Sequence, residues 1–115
     1  MCADRCLFRR NTLLENSVTG AKIVVSTVGL MKGIKGFEEI SRNRYYETMA
    51  FAGKQQGKYI DANVSREVGF DSPWCIAEFD ADDLANDMHE AVVEELRLKL
   101  LEGYRPPAAL VIDED

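Results

Sequence analysis

The sequence predicts an α+β fold: an antiparallel β-sheet of four to five strands with one long C-terminal α-helix packed on one face. Three observations carry this. Two β-branched or aromatic runs, KIVVSTVGL and RYYETMAF, alternate in the manner of strands, and a polar turn with glycines separates the second from a returning run. Then the period changes from two to about four between Ala81 and Glu102. Strands followed by one helix describe a helix laid across a sheet.

The clearest strand is Lys22–Leu30, with Ile23, Val25 and Thr27 on one face and Val24, Ser26 and Val28 on the other. Both faces are largely apolar, which suits a central position. Upstream, Leu7, Phe8, Leu13 and Leu14 suggest a further strand, and Gly20 supplies the turn between the two. Met31–Asn43 holds Gly33 and Gly36 and reads as a long connection with a helical turn at Phe37–Ile40.

Arg44–Phe51 follows as the second strong strand, with Tyr45, Glu47, Met49 and Phe51 on one side and Tyr46, Thr48 and Ala50 on the other. Gly53–Gly57 is the turn and Lys58–Val64 the returning strand of a hairpin. Trp74–Phe79 is a short β-prone run after the turn Asp71-Ser72-Pro73.

In the helix, Leu84, Met88, Val92, Leu96 and Leu100 form the apolar stripe, flanked by Ala85, Val93 and Leu101. Asp80 is the expected N-cap, Asp82 and Asp83 suit the positive end of the dipole, Lys99 suits the negative end, and Gly103 is the expected C′ residue. Pro106 and Pro107 forbid continuation.

The 115 residues form one domain, since halves would be too small to bury a useful core. Residues 1–12 and 105–115 are expected at its flexible margins. No apolar run approaches a membrane span, and the charged N-terminus lacks a secretory signal's apolar stretch. Cys2, Cys6 and Cys75 are an odd number and imply no disulfide framework. The expected location is therefore cytoplasmic, with no membrane partner.

Charge is uneven within the net −6. Residues 1–70 carry 11 basic and 7 acidic side chains, a balance of +4, and residues 71–115 carry 3 and 13, a balance of −10. Such an acidic half keeps a protein soluble and repels nucleic acid. Lys32, Lys35, Arg42 and Arg44 with Phe37 and Tyr45 make a basic, aromatic loop, but Glu38 and Glu39 sit among them. A solvated loop is the expectation, and nucleic acid is not an expected partner.

Candidate chemistry is sparse. His89 is the only histidine and lies at the rim of the stripe, where a hydrogen bond to sheet backbone is the expected role. Glu47 could pair with it if the helix covers Glu47's face; these two are the weak catalytic candidates, centred on a small-molecule pocket between helix and sheet. Tyr45, Tyr59 and Trp74 are candidate ligand contacts, with sheet core or a dimer surface as the plainer role. Cys75 reads as a buried apolar thiol, and Cys2, Cys6 and His89 fall short of a zinc spacing, so neither a metal nor a cofactor is expected. No Walker loop, G-x-G-x-x-G, G-x-S-x-G or H-E-x-x-H occurs.

Ser26–Leu30 (STVGL), Tyr45–Gly53 (YYETMAFAG) and Phe79–Val93 (FDADDLANDMHEAVV) together resemble a family of small, uncharacterised phage and mobile-element proteins of the integron-cassette kind. That family shows an S-T-V strand, a strand reading F-E-T-M-V-F before glycine, and a helix with alanine four residues before histidine. Glu47, Thr48, Met49 and Phe51 match the strand, and Ala85 and His89 the helix. The loop after Leu30 departs from it, lacking the family's Asp-His and consecutive glycines. The resemblance implies a mobile-element origin and a shared small fold, and no catalytic residue.

One helix covers one face only. A sheet apolar on both sides is then expected to meet a partner, and a symmetric homodimer is the simplest arrangement. The leading expectation is a non-catalytic, homodimeric interaction module, with a small molecule or a basic host protein as other candidate partners.

Overall fold

The structure, a computed structural model, describes residues 6–33, 36–38, 45–56 and 59–106. The strands are β1 (Cys6–Glu15), β2 (Lys22–Gly33), β3 (Gly36–Glu38), β4 (Tyr46–Gln56), β5 (Tyr59–Glu67) and β6 (Cys75–Ile76), and α1 (Asp82–Leu101) follows them. All pairings are antiparallel, in the order β1-β2-β4-β5, with β3 added to β2 and β6 to β4. One helix packs against one face of this curled sheet, so the predicted α+β architecture is the observed one.

Several boundaries differ from expectation. β2 continues through Gly33 and pairs with β3, so the stretch read as a connection contains a hairpin arm, and Phe37 and Glu38 are strand rather than helix. Glu39, Ile40, Lys35, Arg42 and Arg44 lie outside the described residues. β4 extends through Gln56, which converts most of the expected Gly53–Gly57 turn into strand; Gly57 and Lys58 lie outside the described residues. The β-prone run at Trp74–Phe79 yields only the two-residue β6. β1 begins at Cys6, within the stretch expected at the flexible margin. Cys2 and the terminal residues 107–115 lie outside the described residues.

Strand alternation sorts side chains onto two faces. Arg10, Thr12 and Leu14 of β1, Ile23, Val25 and Thr27 of β2, and Tyr46, Thr48 and Ala50 of β4 turn toward the helix. Their neighbours Arg9, Asn11, Leu13, Val24, Ser26, Glu47 and Met49 turn away. Leu30 departs from the alternation with φ of 53°, joining Tyr46, Ala85 and Met88 in one cluster. A left-handed leucine costs roughly 1 kcal/mol, which its burial offsets.

The helix buries Ala85, Met88, His89, Val92, Leu96 and Leu100. Leu84 and Leu101, expected on or beside the stripe, are exposed. Val92, Leu96 and Leu100 meet Leu14, Ile23, Val25, Ala50 and Val68 in the larger core cluster. Each such fully buried aliphatic side chain contributes about 1.5–3 kcal/mol.

Both helix ends are held from the sheet side. Asp80 is not the cap; Ala81 occupies that position and has no capping side chain of its own. Instead the Ala81 N–H donates to the Tyr46 hydroxyl at 2.8 Å, and that hydroxyl donates to Asp82 at 2.7 Å. At the other end Asn16 Nδ2 donates to the Leu100 carbonyl at 2.8 Å while its Oδ1 accepts from Val18 and Thr19. Gly103, with φ of 100°, closes the helix as expected by donating to the Leu100 carbonyl at 3.1 Å. Midway, Glu95 accepts from the backbone of Asp71 and Ser72 and from the Ser72 hydroxyl, fastening the approach to β6 onto the helix.

Candidate functional site

His89 lies in the middle of the helix–sheet interface, not at its rim, and is 0% exposed. Its partners are sheet side chains rather than sheet backbone. Nε2 is 2.7 Å from the Thr12 hydroxyl and Nδ1 is 2.7 Å from the Thr27 hydroxyl. Thr27 in turn lies 2.6 Å from the Thr48 hydroxyl. A chain of four side chains thus runs from β1 through α1 to β2 and β4.

A neutral imidazole suits this chain, since one ring nitrogen donates while the other accepts, and a hydroxyl can meet either need. Burial, reinforced by the nearby positive Arg10, lowers the His89 pKa from 6.5 to about 4, against a smaller opposing pull from Glu90. His89 is therefore uncharged at neutral pH. Both nitrogens are occupied, so the ring holds two elements in register and presents no lone pair to a substrate.

Arg10 closes the outer side of this interface. Its Nη1 donates to Asn86 at 3.0 Å and its Nη2 pairs with Glu90. The Tyr46 hydroxyl, buried and donating to Asp82, is pushed up to about 12, first by desolvation and then by that carboxylate. Its ring meets Phe8 edge to face with centroids 5.6 Å apart.

Glu47 lies on the other face of the sheet. Its strand neighbour Thr48 belongs to the His89 chain, so alternation turns Glu47 away from the helix. The anticipated Glu47–His89 pair is not formed, since both ring nitrogens of His89 are bonded to Thr12 and Thr27 on the helix side. Glu47 instead lines a cleft of about 240 Å³ with Thr48, Met49, Glu67, Val68, Gly69, Phe70 and Trp74. Glu47, a catalytic candidate, and Trp74, a candidate ligand contact, therefore share a surface.

Tyr45 stands apart from them. It packs edge to face on Phe79, with centroids 5.4 Å apart. Tyr59 pairs with Gln56 through strand backbone, and its side chain lies outside the described ones. Cys75 is half-buried and sits opposite Glu47 in the β4–β6 pairing. Among the described residues no group of three or more His, Cys, Asp or Glu is placed to hold a metal ion, and no helix is long and apolar enough to cross a membrane.

The three threonines escaped prediction, although a signal was present. Thr27 continues the series Ile23, Val25, and Thr48 lies between Tyr46 and Ala50, so each interrupts a face that is otherwise apolar. A hydroxyl on a buried face needs a partner, and the chain has one histidine on an amphipathic helix to supply it.

The face turned away from α1 is mixed in character. On it Leu7 is 57% and Leu13 45% exposed, Val24 and Met49 are half-buried, and Arg9, Asn11 and Glu67 are exposed. No family model, curated protein or solved structure matches this chain. The segments STVGL, YYETMAFAG and FDADDLANDMHEAVV fall on β2, on β4 with the residue before it, and on α1 with its approach.

Proposed function

We propose that this chain is a non-catalytic binding module that pairs with a second copy of itself through the sheet face opposite α1. The observation that carries the reading is the one-sided cover: the helix shields one face, and the other leaves Leu7, Leu13, Val24 and Met49 in contact with water. Apolar patches of this kind on small domains are commonly interaction surfaces, and an isologous dimer buries the same patch twice.

The state of His89 supports the absence of catalysis. The only histidine has both nitrogens bonded to threonine hydroxyls inside the core, so it serves cohesion between helix and sheet. A mobile-element origin, as the sequence blocks imply, accords with an accessory module of this size.

Sedimentation velocity or light scattering after size exclusion tests the reading at micromolar concentration. The expected mass is twice 12.9 kDa. Leu13→Lys, a substitution at an exposed position, should return the protein to monomer while leaving the circular dichroism spectrum unchanged. A wild-type mass of 12.9 kDa at every concentration overturns the proposal.

A further inference from the structure

Resting on that reading, we infer that the second copy docks about a two-fold axis running along β2, so that Arg9 of each subunit meets Glu47 of the other. Across β1, β2 and β4, three rows lie on the face turned away from α1, with Val28 and Phe51 in them already covered: Arg9–Val28–Glu47, Asn11–Ser26–Met49 and Leu13–Val24–Phe51. β2 is the middle of each row.

A two-fold axis relating two copies of this sheet has three principal directions, and the rows discriminate between them. An axis along β2 lays each row on its own reverse. Leu13 then stands over Phe51, Asn11 over Met49, and the opposite charges Arg9 and Glu47 face each other twice. An axis across the strands lays the charged row on the apolar one, placing Arg9 over Leu13 and Glu47 over Phe51, which desolvates charges without partners. An axis normal to the sheet joins two β1 edges and leaves Leu13, Val24 and Met49 in water.

Distances agree with the first arrangement. Packed sheets lie about 10 Å apart and neighbouring strands about 4.8 Å, so arginine and glutamate side chains one strand from the axis span the gap. Val28 and Phe51 are already buried within the subunit; the new contact falls on Arg9, Asn11, Leu13, Val24, Ser26, Glu47 and Met49. Glu47 is engaged within its own subunit, and a carboxylate has acceptor sites for a further donor.

Charge reversal tests this docking. Arg9→Glu and Glu47→Arg should each weaken self-association at least about tenfold, as rupture of close interfacial charge pairs does. Mixed in equal amounts, the two variants should recover wild-type affinity to within about threefold, because each mixed dimer regains both opposite-charge contacts. A contact made only within a subunit is not restored by mixing. A wild-type dimer whose affinity both variants retain, or a mixture that stays as weak as its components, overturns this docking while leaving the dimer in place. A wild-type monomer overturns both. Should either reversal fail to fold, Ser26→Cys supplies an independent check: next to the axis, it should crosslink through a short bismaleimide above the wild-type cysteine background. Crosslinking at background level overturns the docking.

Discussion

The ring of Tyr46 occupies the space that any side chain at Gly29 would need. A methyl group placed there would stand 2.2 Å from Cδ2 of Tyr46 and 2.7 Å from Cε2. The two residues are direct partners across β2 and β4, and this close approach lets the Tyr46 hydroxyl reach the start of α1.

Gly29→Ala should therefore destabilise the protein by about 1–3 kcal/mol, the range for overpacking a filled core. Urea unfolding followed by circular dichroism measures it. A neutral result means that the ring is free to withdraw.

Tyr46→Phe removes a hydroxyl that accepts from Ala81 and donates to Asp82 while keeping the ring. The expected loss is about 1–2 kcal/mol, because the Ala81 N–H is left without its partner. Alkaline titration gives a second readout. With its pKa raised from 10 to about 12, Tyr46 stays protonated longer in the folded protein than in the unfolded chain. Its contribution is complete below pH 10 and declines between pH 10 and about 12. Tyrosine absorbance near 295 nm should contain a late component that Tyr46→Phe removes.

His89 sets an acid limit. Its folded pKa of about 4 lies below the ordinary 6.5, so the unfolded chain takes up a proton first as pH falls. The stability tied to neutral His89 is complete above pH 6.5 and is lost progressively down to about pH 4, by up to about 3 kcal/mol. His89→Gln retains hydrogen bonding without titrating. The stability advantage of wild type over this variant should shrink by that amount between pH 7 and pH 4; an advantage constant with pH excludes the mechanism.

Asn16→Ala should cost about 1 kcal/mol. It removes the donor to the Leu100 carbonyl and the acceptor for Val18 and Thr19 together. Hydrogen exchange should quicken first at the amides of Val18 and Thr19.

Much of this fold was legible in the residues. The change of period at Ala81, the β-branched run of β2 and the hairpin of β4 and β5 are local properties, and local properties are what a sequence displays. The choice of faces is not local. Alternation separates Tyr46 and Thr48 from Glu47 and Met49, but only the docked helix decides which set is covered, and for that reason the Glu47–His89 pair was a reasonable expectation and a wrong one.

Met88, Val92, Leu96 and Leu100 of the expected stripe are buried, and its first member Leu84 falls outside for a geometric reason. Residues four apart advance about 40° beyond a full turn of a straight helix, so a series from Leu84 to Leu100 winds around the cylinder. The sheet instead takes Ala85 and His89 where the series would place Leu84. Glycine misled at Gly33 and Gly36, which form a strand pair with each other rather than a loop.

The register of β1 against α1 governs when the molecule can become whole. Thr12 waits for His89, Arg10 for Asn86 and Glu90, and Asn16 for Leu100, separations of 76 to 84 positions. On a ribosome the first strand emerges early, yet its companions on α1 follow only 76 to 84 positions later. Until then the greasy side of the nascent sheet has no lid, and pairings so distant along the chain slow the search. The growing polypeptide is accordingly most exposed to clumping in the interval before α1 emerges.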